Sequence, residues 1–456
     1  MSAASDDRAA HGFERSIRAQ WSDMDQKVAR PAARRAAFAL LAYAFAAIMV
    51  GTTLPTPMYA LYSQRMHFSV LTTTVIFATY AVGVLLALLA FGRWSDAIGR
   101  RPILLAGAAF ALASAIVFLF AGGVGQLLLG RLLSGLSAGI FTGTATAAVI
   151  EAAPESWRTR AAAVATIANI GGLGLGPLLA GLLVQYAPHP LQLPFIVHIA
   201  LVLLAIGGVL IAPETSARTG SIGFQRLSVP AEVRSMFVIA ATAAFAGFAV
   251  IGLFTAVAPS FISGVIGIGN HAVAGTIVCS IFASSVIAQL PAGRIDAQRA
   301  VAVGCGVLVV GMAIMAASLH FSSLAVLIVG AVVAGAGQGI SFGRGLAAVA
   351  ERTPPDRRAE VSSTYFVVAY VAISLPVIGE GLAAEAWGLR TAGIVFALAV
   401  SALAALCLAA VLVHEARAPS ACTSSAASCS CPTAPRPPRF RFTCFPPPPI
   451  SPRPRS

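Results

Sequence analysis

The sequence predicts an all-α polytopic membrane protein with 12 transmembrane helices, arranged as two six-helix bundles related by a parallel repeat. Three observations predict it. Of the 456 residues, 58% are hydrophobic and only 10% are charged, whereas soluble globular proteins carry about 25% charged residues. Apolar runs of about 20 residues, long enough to cross a bilayer as helices, recur along the chain. The two halves also resemble each other.

Candidate spans follow one another from residue 36 onward. They begin near Phe38, Val70, Ile103, Gln126, Ala161 and Pro194 in the first half and near Met236, Val273, Ala300, Leu324, Val361 and Thr391 in the second. A polar stretch separates these two sets of six. We therefore expect a leader at 1–35, a six-helix bundle at 36–212, a central loop at 213–235, a second bundle at 236–413 and a disordered, Pro-rich tail at 414–456.

Arginine is distributed unevenly among the predicted loops. With the amino terminus inside, the outer loops hold only Arg65 and Arg390, and all the others fall in inner loops: Arg93, Arg100, Arg101, Arg158, Arg160, Arg218, Arg226, Arg234, Arg294, Arg299, Arg352, Arg357 and Arg358. Cytoplasmic loops carry such an excess. The asymmetry predicts a cell-membrane protein with both termini in the cytoplasm. It also accounts for the net charge of +13 without a nucleic-acid partner.

The internal similarity becomes visible when the halves are compared at a fixed shift of 200 residues. Charged residues and prolines match as well as small ones: Gly130, Gly135, Gly139, Glu151, Pro154 and Arg158 correspond to Gly330, Gly335, Gly339, Glu351, Pro354 and Arg358. One unbroken offset favours a repeat over chance similarity between glycine-rich helices. Two parallel repeats predict a binding site near the membrane midplane, between the bundles.

The loop after the second span, from Gly92 to Pro102, reads Gly-Arg-Trp-Ser-Asp-Ala-Ile-Gly-Arg-Arg-Pro. Its carboxylate can cap the positive end of a neighbouring helix and pair with Arg100. The loop resembles the signature of the major facilitator superfamily, Gly-x-Leu-Ala-Asp-Arg-x-Gly-Arg-Arg, with Trp94 and Ala97 departing from it. The resemblance implies the major facilitator fold and a gating role for Gly92, Asp96, Gly99, Arg100 and Arg101. Glu151, at the inner end of the fourth span, is either a gating partner of these arginines or an ordinary interface residue.

The fourth span contains an arginine, Arg131. A charge at the centre of a span costs on the order of 2.5 to 3.5 kcal/mol on the insertion scale, so Arg131 should face a polar cavity or a partner. Snorkelling to the outer interface is the alternative. Its spacing to Gly135 resembles the family's fourth-helix motif, Arg-x-x-x-Gly, whose arginine is implicated in proton coupling.

The fifth span contains the run Gly-x-x-x-Gly-Pro-x-x-Ala-Gly. A proline removes a backbone donor and kinks the helix, and small residues four apart allow close helix packing. The run is similar to the antiporter motif of proton-driven drug exporters in the same superfamily, with Ala180 in place of one glycine. The resemblance implies export, and its residues are Gly172, Gly176, Pro177 and Gly181.

Glu380 is the acidic residue that the sequence places within the outer part of a span, the eleventh. Because burial disfavours the charged form of a carboxyl group, such a residue could bind and release a proton as the cavity switches sides. A position in the exterior loop beside Glu385, fully ionised, is the alternative.

Residues inside the spans could also line the substrate cavity. With Arg131, a second arginine in the tenth span would form a cationic lining that attracts anions or repels cations, although snorkelling explains that arginine equally well. Aromatic residues would suit amphipathic compounds. The candidates are Tyr43, Tyr80, Phe141, Phe248, Gln338, Arg344 and Tyr370.

Together these features predict a secondary active transporter that expels small amphipathic compounds by proton-coupled alternating access. A proton symporter for a sugar or organic acid, and a non-transporting membrane sensor, are the alternatives. We expect no enzyme, cofactor or metal site, since the sequence has no catalytic triad pattern and no Gly-x-x-x-x-Gly-Lys-Ser/Thr loop. The expected partners are a small-molecule substrate, protons and the lipid bilayer, and the expected state is a monomer.

Overall fold

The computed structural model describes residues 33–218, 222–354 and 357–417. Within these ranges 12 helices are long and apolar enough to cross a membrane, and no β-strand occurs. The helices are α1 (Ala33–Met66), α2 (Val70–Phe91), α3 (Arg100–Leu119), α4 (Val124–Ala152), α5 (Arg160–Tyr186), α6 (Leu193–Ile211), α7 (Ala231–Ala256), α8 (His271–Ala292), α9 (Ala297–Phe321), α10 (Leu324–Arg352), α11 (Arg358–Trp387) and α12 (Leu389–Val413). The predicted fold class is confirmed. The predictions for residues 1–32 and 418–456 lie outside the described residues.

Most helices begin a few residues before the apolar run that predicts them. The described part of α1 is already helical at Ala33, before Phe38, and α7 begins at Ala231 rather than near Met236, because helical hydrogen bonding continues through the polar residues at the membrane surface. Helices α2 and α10 begin where predicted. Each of these two follows a serine whose hydroxyl accepts a backbone N–H of the first turn, as a helix N-cap does.

Helix α1 begins, and α12 ends, at the same side of the bundle, which we call the terminal face; the other side is the distal face. Odd-numbered helices run from the terminal to the distal face and even-numbered helices run back. The segment between α6 and α7 lies at the terminal face, where the backbone N–H of Gln225 donates to the carbonyl of Leu89 in α2, at 2.8 Å. Both six-helix halves belong to one compact unit, residues 33–413 in the described part.

Two helix pairs join the halves, α2 with α11 and α5 with α8. The repeat relates α2 to α8 and α5 to α11, so these two contacts are equivalent. Both are tightest near the distal face. A Cβ added to Gly181 would lie 2.5 Å from the carbonyl oxygen of His271, and one added to Gly381 would lie 2.4 Å from Oγ1 of Thr74. The halves are therefore closed against each other at the distal face.

The glycines that match between the halves occupy equivalent contacts. A Cβ on Gly135 of α4 would lie 2.1 Å from the carbonyl oxygen of Tyr80 in α2, and one on Gly335 of α10 would lie 2.3 Å from that of Ile281 in α8. Only glycine permits backbones to approach this closely. The sequence repeat therefore corresponds to a repeat in helix packing.

Candidate functional site

A cavity of about 90 Å³ lies between the two halves. Four helices of each half line it: α1, α2, α4 and α5 from the first, and α7, α8, α10 and α11 from the second. The peripheral helices α3, α6, α9 and α12 contribute none of its lining. The lining residues are Thr52, Thr53, Phe77, Tyr80, Arg131, Thr142, Asn169, Ile170, Leu173, Phe248, Ile251, Thr255, Phe282, Gln338, Phe342, Phe366, Tyr370 and Ile373.

Among the described lining residues, Arg131 alone carries a formal charge, and it is 1% exposed. Its Nη1 donates to the carbonyl oxygen of Thr52 in α1, while its Nε has no hydrogen-bond partner. The guanidinium lies 5.3 Å from the ring centre of Phe77 and 4.7 Å from that of Tyr80. Aromatic faces stabilise a cation at these distances. The guanidinium is thus a charged group at the wall of the cavity, and its Nε is buried without a protein partner.

The second half contributes a cluster of aromatic rings to the cavity wall. Phe248 lies 4.7 Å from Phe342 and 6.4 Å from Tyr370, measured between ring centres, and Tyr370 lies 6.4 Å from Tyr80 of the first half. Nearby, Gln338 accepts a hydrogen bond from the hydroxyl of Ser285, at 2.7 Å. This wall offers large apolar faces with few polar atoms, as small-molecule sites commonly do.

Tyr80, Phe248, Gln338 and Tyr370 are thus in the cavity wall, but three other residues expected there are not. Tyr43 is 36% exposed and donates to the carbonyl of Leu201, so it joins α1 to α6. Phe141 is fully buried and packs on Phe45 within the first half. Arg344 donates to the carbonyl of Ile295, after α8 at the terminal face. The prediction that Arg131 and Arg344 together line the cavity is therefore wrong. Arg344 reaches toward a helix end, as a snorkelling side chain does.

Glu380 lies inside α11 rather than in a loop, and it is 2% exposed. Neither of its carboxyl oxygens has a hydrogen-bond partner. It does not line the central cavity. It borders a separate, largely apolar groove of about 390 Å³ formed by α7, α11 and α12, whose lining includes Phe245, Phe396 and Trp387. An unpaired carboxylate is unfavourable in such surroundings.

An ion-pair network lies at the terminal face around Arg100. Its guanidinium is 2.6 Å from Asp96 and 2.9 Å from Glu151, and it also donates to the hydroxyl of Ser95. Glu151 in turn accepts from the hydroxyl of Thr215, beyond α6, at 2.7 Å. The network therefore ties together the signature loop, the end of α4 and the segment that leads to the second half.

The remaining signature residues surround the start of α3. Gly99 has a φ of 119°, a conformation that L side chains rarely adopt, and it leads directly into α3. Arg101 donates to the carbonyl of Leu210 at the end of α6. Gly92 borders a polar cleft of about 490 Å³, together with residues of the linker and of α11. The loop thus reaches α2, α3, α6 and the linker.

Glu214 completes this network, and sequence reasoning missed it. Its carboxylate accepts the backbone N–H groups of Arg100, Arg101, Thr215 and Ser216, at 2.8 to 3.2 Å. The cap on α3 that we expected from Asp96 is therefore made by Glu214. Burial would raise the pKa of Glu214, but these four hydrogen bonds outweigh it and hold the pKa below its usual range. The sequence signal for Glu214 was an acidic residue just after the sixth span, and it belonged to no motif that we recognised.

The glycines of the fifth-helix motif make close contacts on two sides. A Cβ on Gly172 or Gly176 would lie within 2.7 Å of a backbone oxygen of α1, and Gly181 meets α8 of the other half. Because Pro177 has no N–H, the carbonyl of Leu173 would lack its helical donor; the hydroxyl of Thr53 in α1 donates to it instead, at 2.6 Å. A π-helical turn, Ile167–Gly171, precedes the motif.

Comparisons with known proteins identify the family. The model of the Major Facilitator Superfamily matches residues 36–375 and 270–449. The chain belongs to the major facilitator superfamily. The resemblance to this family that was inferred from the sequence is therefore confirmed.

Among the similar sequences, a multidrug transporter MdfA from Edwardsiella ictaluri is 32% identical over 52% of this chain and 59% of its own length. A multidrug transporter MdfA from Yersinia pestis is 27% identical over 63% of this chain and 72% of its own length. The class D tetracycline resistance protein of Salmonella ordonez is 34% identical over 27% of this chain and 30% of its own length. The matches thus span between about a third and about three quarters of these relatives.

A solved structure also shares the fold. A bacterial homologue of the human lysosomal transporter Spinster, in an inward-facing and unoccupied conformation, superposes with a TM-score of 0.64 and 15% sequence identity. The superposition covers 84% of this chain and 98% of that one. The chain therefore has the fold of a multi-pass transporter of this superfamily.

Proposed function

We propose that this protein exports small amphipathic compounds, neutral or anionic, in exchange for protons. The observation that carries the proposal is the central cavity, which combines aromatic walls with a single buried guanidinium whose Nε is free of protein partners. An aromatic ligand body would pack on the rings of the second half. A ligand oxygen would accept from Arg131.

The charge of the cavity selects among ligands. No carboxylate belongs to the described lining, so nothing there neutralises Arg131. A unit charge held roughly 6 Å from the guanidinium interacts with it by about 3 kcal/mol at an effective dielectric constant of about 20. A cationic ligand loses that amount and an anionic ligand gains it. Neutral and anionic amphipaths are therefore the preferred substrates.

Glu380 is our candidate for the protonation site. Among described residues, it is the carboxyl group that is buried within a span and lacks a partner. Binding a proton removes the cost of an isolated charge in an apolar environment, and opening of α11 to water would release it. Because α11 also carries Tyr370 and Ile373 of the cavity wall, a movement of this helix would affect both sites.

The terminal face is the cytoplasmic side in this proposal, since nearly all loop arginines lie there. The contact network of Arg100 would then hold the cytoplasmic ends of α2, α3 and α4 together while the distal face is closed. Rocking of the halves about the central cavity would open the distal face and close the terminal face.

The names of the similar proteins support the direction of transport. Two are called multidrug transporters and a third a tetracycline resistance protein. Export of a drug protects a cell, whereas import of one does not. The proposal assigns the same direction to this chain, with the protein acting as a monomer in the cell membrane.

Proton movement in everted vesicles tests the proposal. Three compounds with the same aromatic body, one anionic, one neutral and one cationic, are added to vesicles with an acidic interior, and the internal pH is followed with a dye. We expect proton release with the anionic and neutral compounds and little with the cationic one. Release should be lost in Glu380→Gln and kept in Glu385→Gln, a matched control because Glu385 is exposed one turn further along the same helix.

The same experiment separates the rival functions. In right-side-out vesicles with an acidified medium, the companion arm of this experiment, proton entry together with uphill uptake of a sugar or organic acid would replace export with symport. No proton movement with any compound, from protein that is folded and correctly inserted, would reject proton-coupled transport in either direction and favour the non-transporting sensor.

A further inference from the structure

A second, much smaller cavity lies inside the first half, enclosed by α1, α3, α4 and α6. Its volume is about 10 Å³, close to the minimum that holds one water molecule. It shares one lining residue, Thr52, with the central cavity. The shared residue places the two cavities on either side of a single turn of α1.

The lining of this small cavity is unusually polar for the interior of a membrane bundle. Five of its side chains are polar and each is at most 5% exposed: Thr52, Ser114, Ser134, Ser137 and His198. The hydroxyls of Thr52 and Ser114 donate to backbone carbonyls. The hydroxyl of Ser137 has no protein partner. Buried polar groups are nearly always hydrogen-bonded, and a water in a cavity of this size supplies the missing bond.

His198 is the one side chain of this lining that titrates. Its Nε2 lies 3.3 Å from the carbonyl oxygen of Ala47 in α1, so in the neutral ring Nε2 carries the hydrogen and Nδ1 is left as an acceptor. The ring lies directly on the backbone of α1: a Cβ added to Gly51 would be 2.0 Å from its Cε1. A histidine needed only for packing would not require a glycine here and four hydroxyl groups around it.

The same turn of α1 contacts Arg131. Gly51 supports the imidazole of His198, and the carbonyl of the next residue, Thr52, accepts from the guanidinium. Of the helices that line the small cavity with His198, α4 contributes the hydroxyls of Ser134 and Ser137, α3 that of Ser114 and α1 that of Thr52, whose carbonyl accepts from the guanidinium.

We propose that the small cavity holds an ordered water and that His198 is a second protonation site, coupled electrostatically to Arg131 through this turn of α1. When the internal water carries an excess proton, it gives that proton to Nδ1 of His198; a neutral water remains and the ring becomes an imidazolium. The new positive charge repels Arg131 and weakens the hold of the cavity on an anion. Its use in transport rests on the proposed function, but the site itself does not.

Nitrogen NMR of the full chain, labelled at histidine and held in lipid nanodiscs without any substrate, tests the site. The chain has seven histidines, and the signal that disappears in His198→Gln but not in His320→Gln belongs to His198. The pH is lowered from about 8 to about 3, which extends the ordinary range of histidine titration on the acidic side because burial disfavours the charged ring. We expect the His198 signal to convert reversibly from the neutral to the charged form.

Two further variants decide whether water and Arg131 take part. Arg131→Gln should raise the pH midpoint of the His198 signal by roughly one unit, since a repelling cation has gone, whereas Arg390→Gln, at the distal face of the other half, should leave it in place. Ser137→Val fills the cavity and should lower the midpoint or abolish titration. A His198 signal that stays neutral throughout, or the same midpoint in Arg131→Gln and wild type, would overturn the proposal. Titration of His198 without any proton-coupled export would reject the proposed function and keep this site.

Discussion

Because the distal face is closed at Gly181 of α5, a substitution there should shift the equilibrium between the distal-closed and distal-open conformations. In Gly181→Ala the new Cβ would lie 2.5 Å from the carbonyl oxygen of His271 and 3.2 Å from the Cα of Gly275. Ordinary contact with that Cβ begins at 3.4 Å, so α5 and α8 must separate by about 1 Å. Forcing an extra methyl group into a packed contact costs about 1 to 3 kcal/mol. The cost falls only on the state in which the distal face is closed.

A free-energy difference of that size shifts the ratio of the two states about 5- to 150-fold toward the distal-open state. Spin labels at Tyr186, the end of α5, and at Gly269, just before α8, report it as a distance distribution. Gly171→Ala is the matched control: it makes the same change in the same helix, but its nearest neighbouring atom is 3.8 Å away, so it subtracts the effect of helix propensity. Equal distance distributions in Gly181→Ala and Gly171→Ala would refute the reasoning.

Three further predictions concern the other contacts described above. Arg131→Lys keeps the charge but loses the planar fork that contacts α1 and two rings, and we expect export of an anionic amphipath to fall about tenfold while expression is unchanged, measured by initial rates in vesicles. Glu214→Gln should lower the free energy of unfolding in detergent by about 1 kcal/mol at neutral pH. The pKa of Glu214 is lowered in the folded state. The difference in unfolding free energy between wild type and variant should therefore reach its full size above the usual carboxyl pKa and vanish as the pH falls through the folded-state pKa. Thr53→Val leaves the carbonyl of Leu173 without a donor and should cost about 1 to 2 kcal/mol by thermal unfolding. The control Thr242→Val should cost little, because the hydroxyl of Thr242 donates to the carbonyl of Val238 in the same helix, which also accepts a backbone N–H.

The sequence predicted the number and order of helices because a span must satisfy its own backbone hydrogen bonds and be apolar throughout, and both requirements are local. The motif residues were found for a related reason. Glycine is required where the backbones of two helices come close, as at Gly172 and Gly181, and these glycines stand out in a run of leucines. The repeat offset then showed which contacts should be equivalent, and Gly135 with Gly335 are so in the structure.

The cavity lining could be predicted only in part, because a span that is apolar on every side does not show which face points inward. Tyr43 and Tyr80 look alike in the sequence, yet one meets α6 and the other the cavity. Likewise an arginine two turns inside a helix reads the same whether it turns inward, as Arg131 does, or toward the surface, as Arg344 does. Glu214 escaped notice because its partners are backbone N–H groups, which every residue type supplies.

The two halves pack their helices alike, but they differ in the charged residues at the candidate site. At the shift of 200 residues, Arg131 corresponds to Ala331, and Glu380 corresponds to Ala180; both alanines are fully buried. Symmetric glycine contacts let either face close by equivalent movements, since the same helix pairs meet in each half. In the proposed exchange, the asymmetric charges would let the central cavity hold a ligand at Arg131 of the first half while Glu380 of the second half binds a proton. If both halves carried both charges, the buried pair would attract across the interface and favour one conformation. The proposed exchange of a ligand for a proton would therefore rest on symmetric packing of the two bundles and asymmetric placement of their charges.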